Sequence, residues 1–250
     1  MTELDTLRKG EENNYAVACS QMDDSVSLIE DLVGLYELMA SMFETSGVPP
    51  RDEVFAPGQF LLMDRYNLTL GVLAAMRGHI SDSFYFSRKA IEACAFAARI
   101  KRSPKLATDW LRAVEDDSSY EKFREKFSAG KLFPQGHPLL AVLKGRYSLC
   151  CKMTHPSIIS FGGHLDVQEG QSLFRLKFDY FQLNDSDQSE PIRTLLFIAD
   201  THLGILRIFE EILAPVVNHD RKRWEVNLNA VDAKIALHKN KWKQTVQAVP

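Results

Sequence analysis

The sequence predicts a mainly α-helical bundle of six to eight helices, with one β-hairpin inserted at about residues 164–181. Three observations predict it. Apolar residues recur at helical spacing over most of the chain. The stretch Phe174, Leu176, Phe178 and Tyr180 instead alternates with Arg175, Lys177 and Asp179, a period of two that marks a half-buried strand. Proline and glycine divide the helical runs at intervals that suit short connections.

Taken in order, residues 1–20 are polar and read as a loosely ordered lead-in. A first helical stripe starts at Asp23 with Val26, Ile29, Val33 and Tyr36 and ends near Gly47, before Val48-Pro49-Pro50, where the pre-proline residue disfavours the α region. Pro57 suits the early part of a second helix, running through Leu61, Leu68 and Val72 to about Arg77. Ser81 or Asp82 is available as N-cap for a third helix reaching about Lys101. In it Phe84, Ser87, Ile91, Cys94 and Ala98 fall at steps of 3, 4, 3 and 4, while Ala90, Ala93, Ala95 and Ala97 permit close approach. That helix is expected at the centre of the bundle.

Ser103-Pro104 opens a fourth helix to about Val114, Ser118 or Ser119 a short charged one, and Gly136-His137-Pro138 another that Pro156 ends. Leu165 and Val167 then alternate with polar residues, Glu169-Gly170 supplies a turn, and the aromatic strand follows. A long helix spans about Pro191 to Leu213. In the last segment Leu228, Val231, Ile235, His238 and Trp242 repeat at steps of 3, 4, 3 and 4 on an otherwise basic helix. The expected organisation is therefore a lead-in over 1–20, a helical domain with hairpin insertion over 21–220, and a basic amphipathic C-terminal helix over 221–250, docked on its own body or exchanged with a partner.

Composition narrows the function classes. Of 250 residues 45% are hydrophobic and 25% charged, ordinary values for a folded globular chain. The net charge of −3 argues against a dedicated polyanion binder. It is unevenly spread, with +5 on residues 221–250 against −8 on residues 1–220. A basic helix docking on its own acidic body accounts for that asymmetry, and the basic segment 221–243 suggests nucleic acid only weakly. The four cysteines form no C-x-x-C pair and point to a reducing compartment. The N-terminal residues lack the apolar core of a signal peptide, and no apolar run approaches membrane-spanning length. A cytoplasmic protein without membrane contact is expected.

No motif fixes a reaction, so candidate chemistry comes from polar residues placed where they are costly. On the third predicted helix Arg88 and Glu92 stand four apart, within ion-pair reach. If that helix is central, the pair is either structural or the lining of a polar pocket whose Arg88 holds an anionic group. His155 lies just past a helix C-terminus, where the dipole favours its protonated form, and before Pro156, which fixes an extended backbone. It suits acid–base work, or the simpler task of capping carbonyls with Thr154 and Ser157. Tyr147 and Ser157 complete the candidate ligand-binding set. The seven histidines include no H-x-x-x-H or E-x-x-H spacing, so no metal is expected. Phe161-Gly162-Gly163-His164 lacks the context of a phosphate loop, and no cofactor is expected.

Two segments together carry a resemblance. Ser87-Arg88-Lys89-Ala90-Ile91-Glu92-Ala93, following Arg77-Gly78-His79-Ile80-Ser81-Asp82, resembles a helix common in uncharacterised bacterial helical-bundle proteins. The segment from Tyr147 to His155-Pro156-Ser157 is similar to a later helix of that set, with Cys150 where serine is usual. The likeness covers about residues 60–160. Such proteins look like distant relatives of the HEPN (higher eukaryote and prokaryote nucleotide-binding) helical domains, some of which are metal-independent ribonucleases of toxin and phage-defence systems. The nuclease members carry an Arg followed after a few residues by His. Here Arg146 and His155 have eight residues between them, as do Arg193 and His202. The resemblance implies a helical fold, and the heptad-spaced final helix makes homodimerisation through helices an expectation. The resemblance also frames two functions. One is a non-catalytic binding or interaction module with a small polar or anionic ligand at Arg88, Glu92, Tyr147, His155 and Ser157. The alternative is a HEPN-type ribonuclease using Arg146 or Arg88 with His155.

Overall fold

The computed structural model describes residues 2–41, 51–155, 165–169, 174–178, 181, 189–214 and 221–247. Among them the protein is mainly helical: α1 (Glu3–Gln21), α2 (Asp23–Ser41), α3 (Asp52–Arg77), α4 (Ile80–Arg102), α5 (Lys105–Leu111), α6 (Asp117–Lys126), α7 (Pro138–Thr154), α8 (Ser189–Leu213) and α9 (Arg221–Gln247). Leu165–Glu169 (β1) and Phe174–Phe178 (β2) pair antiparallel, with Val167 opposite Leu176.

Among the described residues nine helices exceed the six to eight expected, and the additional one is α1, in place of the loosely ordered lead-in. Its start was written in Thr2 and Asp5: the Thr2 hydroxyl accepts from the Asp5 N–H at 3.2 Å while the Asp5 carboxylate accepts from the Thr2 N–H at 3.1 Å. This reciprocal capping box satisfies two donors that a helix end leaves open. The helix escapes a search for apolar stripes because Ala18 is its one buried residue among those described.

The α3–α4 corner also differs from expectation. Gly78 adopts φ 91°, and the N–H groups of Gly78 and His79 return to the carbonyls of Ala75 and Ala74 at 3.1 and 2.8 Å. Only glycine enters that left-handed region without steric cost, so α3 stops there. His79, rather than Ser81 or Asp82, then occupies the N-cap of α4. Asn14 of α1 donates to the Arg77 carbonyl at 3.0 Å, and Glu11 meets His79 Nε2 at 3.0 Å. The Phe181 ring lies 5.6 Å from the His79 ring, and α1 approaches it through Gly10.

A Cβ on Gly10 would stand 2.6 Å from Phe181 Cε2. Helix propensity alone favours Gly10→Ala by about 1 kcal/mol. We expect no gain in thermal stability from Gly10→Ala, because the clash opposes it, and recovery of that gain when Phe181→Leu is added. A Gly10→Ala variant with a raised Tm would refute the contact.

The core lies between α2, α3, α4 and α8. α4 is central: Ser87, Ile91, Cys94 and Ala98 are buried, as are Ala90, Ala93, Ala95 and Ala97. Gly71 of α3 brings the helices close, its missing Cβ facing the Ser83 carbonyl at 3.6 Å. At one end Phe60, Phe96, Trp110, Phe123 and Phe127 form an aromatic cluster with centroids 4.6–6.0 Å apart. α7 begins as its sequence suggests, with His137 as N-cap accepting from the Leu140 N–H and its other nitrogen 2.8 Å from Glu211. α9 lays Trp224, Leu228, Val231 and Ile235 onto the core, with His238 and Trp242 half-buried. Lys234 pairs with Asp31, and Lys241 lies 2.9 Å from Asp24, so the basic helix docks on acids of α2 in the same chain. Among the described residues no helix is long and apolar enough to cross a membrane.

Candidate functional site

Three of the sequence candidates meet on one surface where α4 crosses α7. Arg88 and Glu92 share a face of α4, and Arg88 Nε donates to Glu92 Oε1 at 3.1 Å. Lys89 Nζ reaches the second carboxylate oxygen at 3.3 Å. From α7 the Tyr147 hydroxyl donates to Glu92 Oε1 at 3.2 Å, and the Arg88 guanidinium carbon lies 5.4 Å from the centre of the Tyr147 ring. Phe133 meets that ring edge-on, with centroids 5.4 Å apart. One carboxylate thus organises two cations and a phenol, leaving a net positive charge on a partly buried surface.

The electrostatics follow the packing. Burial, and then the Glu92 charge, push the Tyr147 hydroxyl up to about 12, so it remains a donor. Burial opposes the Arg88 cation, but Tyr147 and Glu92 outweigh it and hold the guanidinium above its ordinary value. Among the described residues, Arg88 makes its hydrogen bond through Nε alone. Its two Nη nitrogens, a planar fork of donors, make none.

The other candidates sit elsewhere. Arg146, one residue before Tyr147, is about 100° around the helix and points to α8. There it pairs with Asp200 and donates to Thr201 Oγ1 at 3.3 Å, while Lys239 of α9 reaches the other Asp200 oxygen at 2.8 Å. His155 is the exposed C-cap of α7, its N–H returning to the Cys151 carbonyl at 3.0 Å, with the extended ψ of 146° that Pro156 demands. Nine positions apart, Arg146 and His155 are about half a turn out of phase. Ser157 lies outside the described residues, as do His164 and the turn of the hairpin.

A second polar group is one that sequence reasoning passed over. Tyr36 of α2, Asp64 of α3, Cys94 of α4 and His202 of α8 are all fully buried. The Tyr36 hydroxyl and His202 Nδ1 are 2.7 Å apart. Among the described residues His202 Nε2 and both Asp64 carboxylate oxygens have no hydrogen-bond partner. Burial lowers the imidazole to about 3 and raises the Asp64 carboxyl well above its ordinary range, so each is neutral in the fold. Were Asp64 ionised, its charge would add to burial in raising Tyr36 and Cys94. The available signal was an acid among Phe60, Leu61 and Leu68 of one amphipathic helix. Among the described residues no three His, Cys, Asp or Glu side chains group as a metal site. Comparison with protein-family models, curated proteins and solved structures finds no match for this chain.

Proposed function

We propose that the protein is a non-catalytic binding module whose α4–α7 surface receives a small anionic group. The supporting observation is the Arg88 clamp. Glu92 fixes the guanidinium through Nε, Tyr147 lies beneath it, and the Nη fork is left to meet a carboxylate or phosphate in two-point geometry. Lys89 adds charge beside it, and the exposed His155 follows on α7. The hairpin inserted between α7 and α8 is proposed to border this site, since it follows the end of α7. Self-association through helices and a cytoplasmic location belong to the same reading. The exposed Val142 and Leu149 of α7 support the first, and the four free cysteines support the second.

Titration with inorganic phosphate and with acetate, followed by amide NMR shifts, tests this reading. Shifts should centre on α4 and α7, and Arg88→Gln should weaken binding by at least about tenfold, the loss of one charge-assisted two-point contact. Equal binding by wild type and Arg88→Gln would refute the clamp. The HEPN-type ribonuclease reading has its own arm: mixed RNA is incubated with wild type, His155→Ala and Arg146→Ala. RNA cut by wild type and spared by His155→Ala would replace the binding reading with that one.

A further inference from the structure

The Tyr36, Asp64, Cys94 and His202 group performs no part of the anion site and is costly to keep. A folded chain seldom leaves buried polar atoms without partners, and here three lie in one helical seam. The Tyr36–His202 couple ties α2 to α8 in edge-on ring contact, with centroids 5.8 Å apart. Its chemistry tolerates neutral side chains alone. A protonated imidazole would turn both ring nitrogens into donors. Tyr36 can accept from Nδ1, but Nε2 faces no acceptor. An ionised Asp64 would carry two acceptor oxygens with no donor against either.

The charges around the seam are committed elsewhere. On the α7 side Arg146 holds Asp200 and Thr201, next to His202. From α9, Lys239 holds Asp200 and Asp232 holds Arg207. From α2 and α4 the facing titratable groups are Tyr36 and Cys94, both kept neutral by burial. Among the described residues no counter-ion bonds the orphaned atoms of His202 or Asp64.

We propose that this seam is a two-sided proton-operated switch: proton uptake by His202 in acid, or proton loss by Asp64 in alkali, opens α2 and α8 locally to water. α2 is the part that moves: its pairs with α9, Lys234–Asp31 and Lys241–Asp24, are surface pairs that survive hydration, while Lys239–Asp200 and Arg207–Asp232 keep α9 on α8. α3, α4, α5 and α6 stay locked through the Phe60, Phe96, Trp110, Phe123 and Phe127 cluster. The switch opens when an ion must be hydrated, and closes on the neutral pair.

Amide hydrogen exchange of the whole chain, read by mass spectrometry from about pH 4 to about pH 9 and corrected for intrinsic exchange, tests the proposal. Between about pH 4 and pH 6.5 the His202 and Asp64 slopes oppose each other, so protection of α2 and α8 should be level there and fall by at least about tenfold toward pH 9, before α4 and α7 respond. His202→Gln should extend that fall down to about pH 4, and Asp64→Asn should abolish it and uncover a fall below about pH 6.5. An alkaline fall that survives in Asp64→Asn, no acid fall in that variant, or simultaneous loss of protection in every helix would overturn the switch. Should a variant not fold, the ¹⁵N shifts of the wild-type His202 ring decide: they must stay those of the neutral ring down to about pH 4, and a ring charged within the closed fold excludes the switch.

Discussion

Trp224→Ala is expected to cost about 3–5 kcal/mol of stability, the largest loss from any single truncation in α9. Trp224 is 1% exposed and heads the fully buried side chains by volume. It stands in the first turn of α9, and Leu228, Val231 and Ile235 continue the same face into the core. The ion pairs that accompany this contact are exposed and contribute roughly 0–1 kcal/mol each, so they cannot hold the helix without the indole. The indole Nε1 has no hydrogen-bond partner, which means truncation also removes an unsatisfied donor and places the effect at the lower end of the range. Trp224→Phe keeps most of the apolar area and discards that donor, so it should cost far less. Urea denaturation of the two variants distinguishes them. A cost below about 1 kcal/mol for Trp224→Ala would mean that α9 is not seated through this stripe.

Asp64→Asn should make the protein more stable than wild type at neutral and alkaline pH. Below the ordinary carboxylate range, folded and unfolded chains both keep the Asp64 proton, and the substitution changes little. Above it the unfolded chain releases the proton while the fold retains it, because burial holds the folded value high. Stability therefore falls by about 1.4 kcal/mol per pH unit from near the ordinary value up to the folded one, and the amide is spared this loss. His202 imposes the opposite slope. Its folded value is lowered to about 3, so its contribution is complete above about pH 6.5 and is lost as pH falls from there toward 3. Denaturation of Asp64→Asn at a series of pH values should show a flattened alkaline side with the acid decline intact. An unchanged alkaline slope would show that Asp64 is not held neutral in the fold.

What was legible in the sequence is what depends on spacing along one helix. The stripe Leu228, Val231, Ile235 reports its own buried face, because three- and four-residue steps return to one side of a helix. The same arithmetic placed Arg88 beside Glu92. Tyr147 is a different matter: its hydroxyl reaches Glu92 from 55 residues away, and no local period encodes which helices cross. α1 was hidden because a helix held by caps and polar corner contacts shows no stripe. Asp64 and His202 were hidden for a converse reason. A carboxylate on a helix is ordinarily solvated, so its burial becomes visible only when the helices on its other sides are in place.

The α3–α4 corner also bears on the order in which the chain becomes structured. α1 leaves the ribosome before its anchors, Arg77, His79 and Phe181, which are separated from Gly10–Asn14 by 63 residues or more. A helix of 19 residues with little to bury gains its stability from tertiary packing rather than from its own turns. During synthesis it must therefore wait, first for the left-handed turn at Gly78 to set the corner, then for Phe181 to emerge and close over Gly10. Residues of α1, made before these partners, are thus among the last to find their final contacts, and the corner serves as the point where that delay ends.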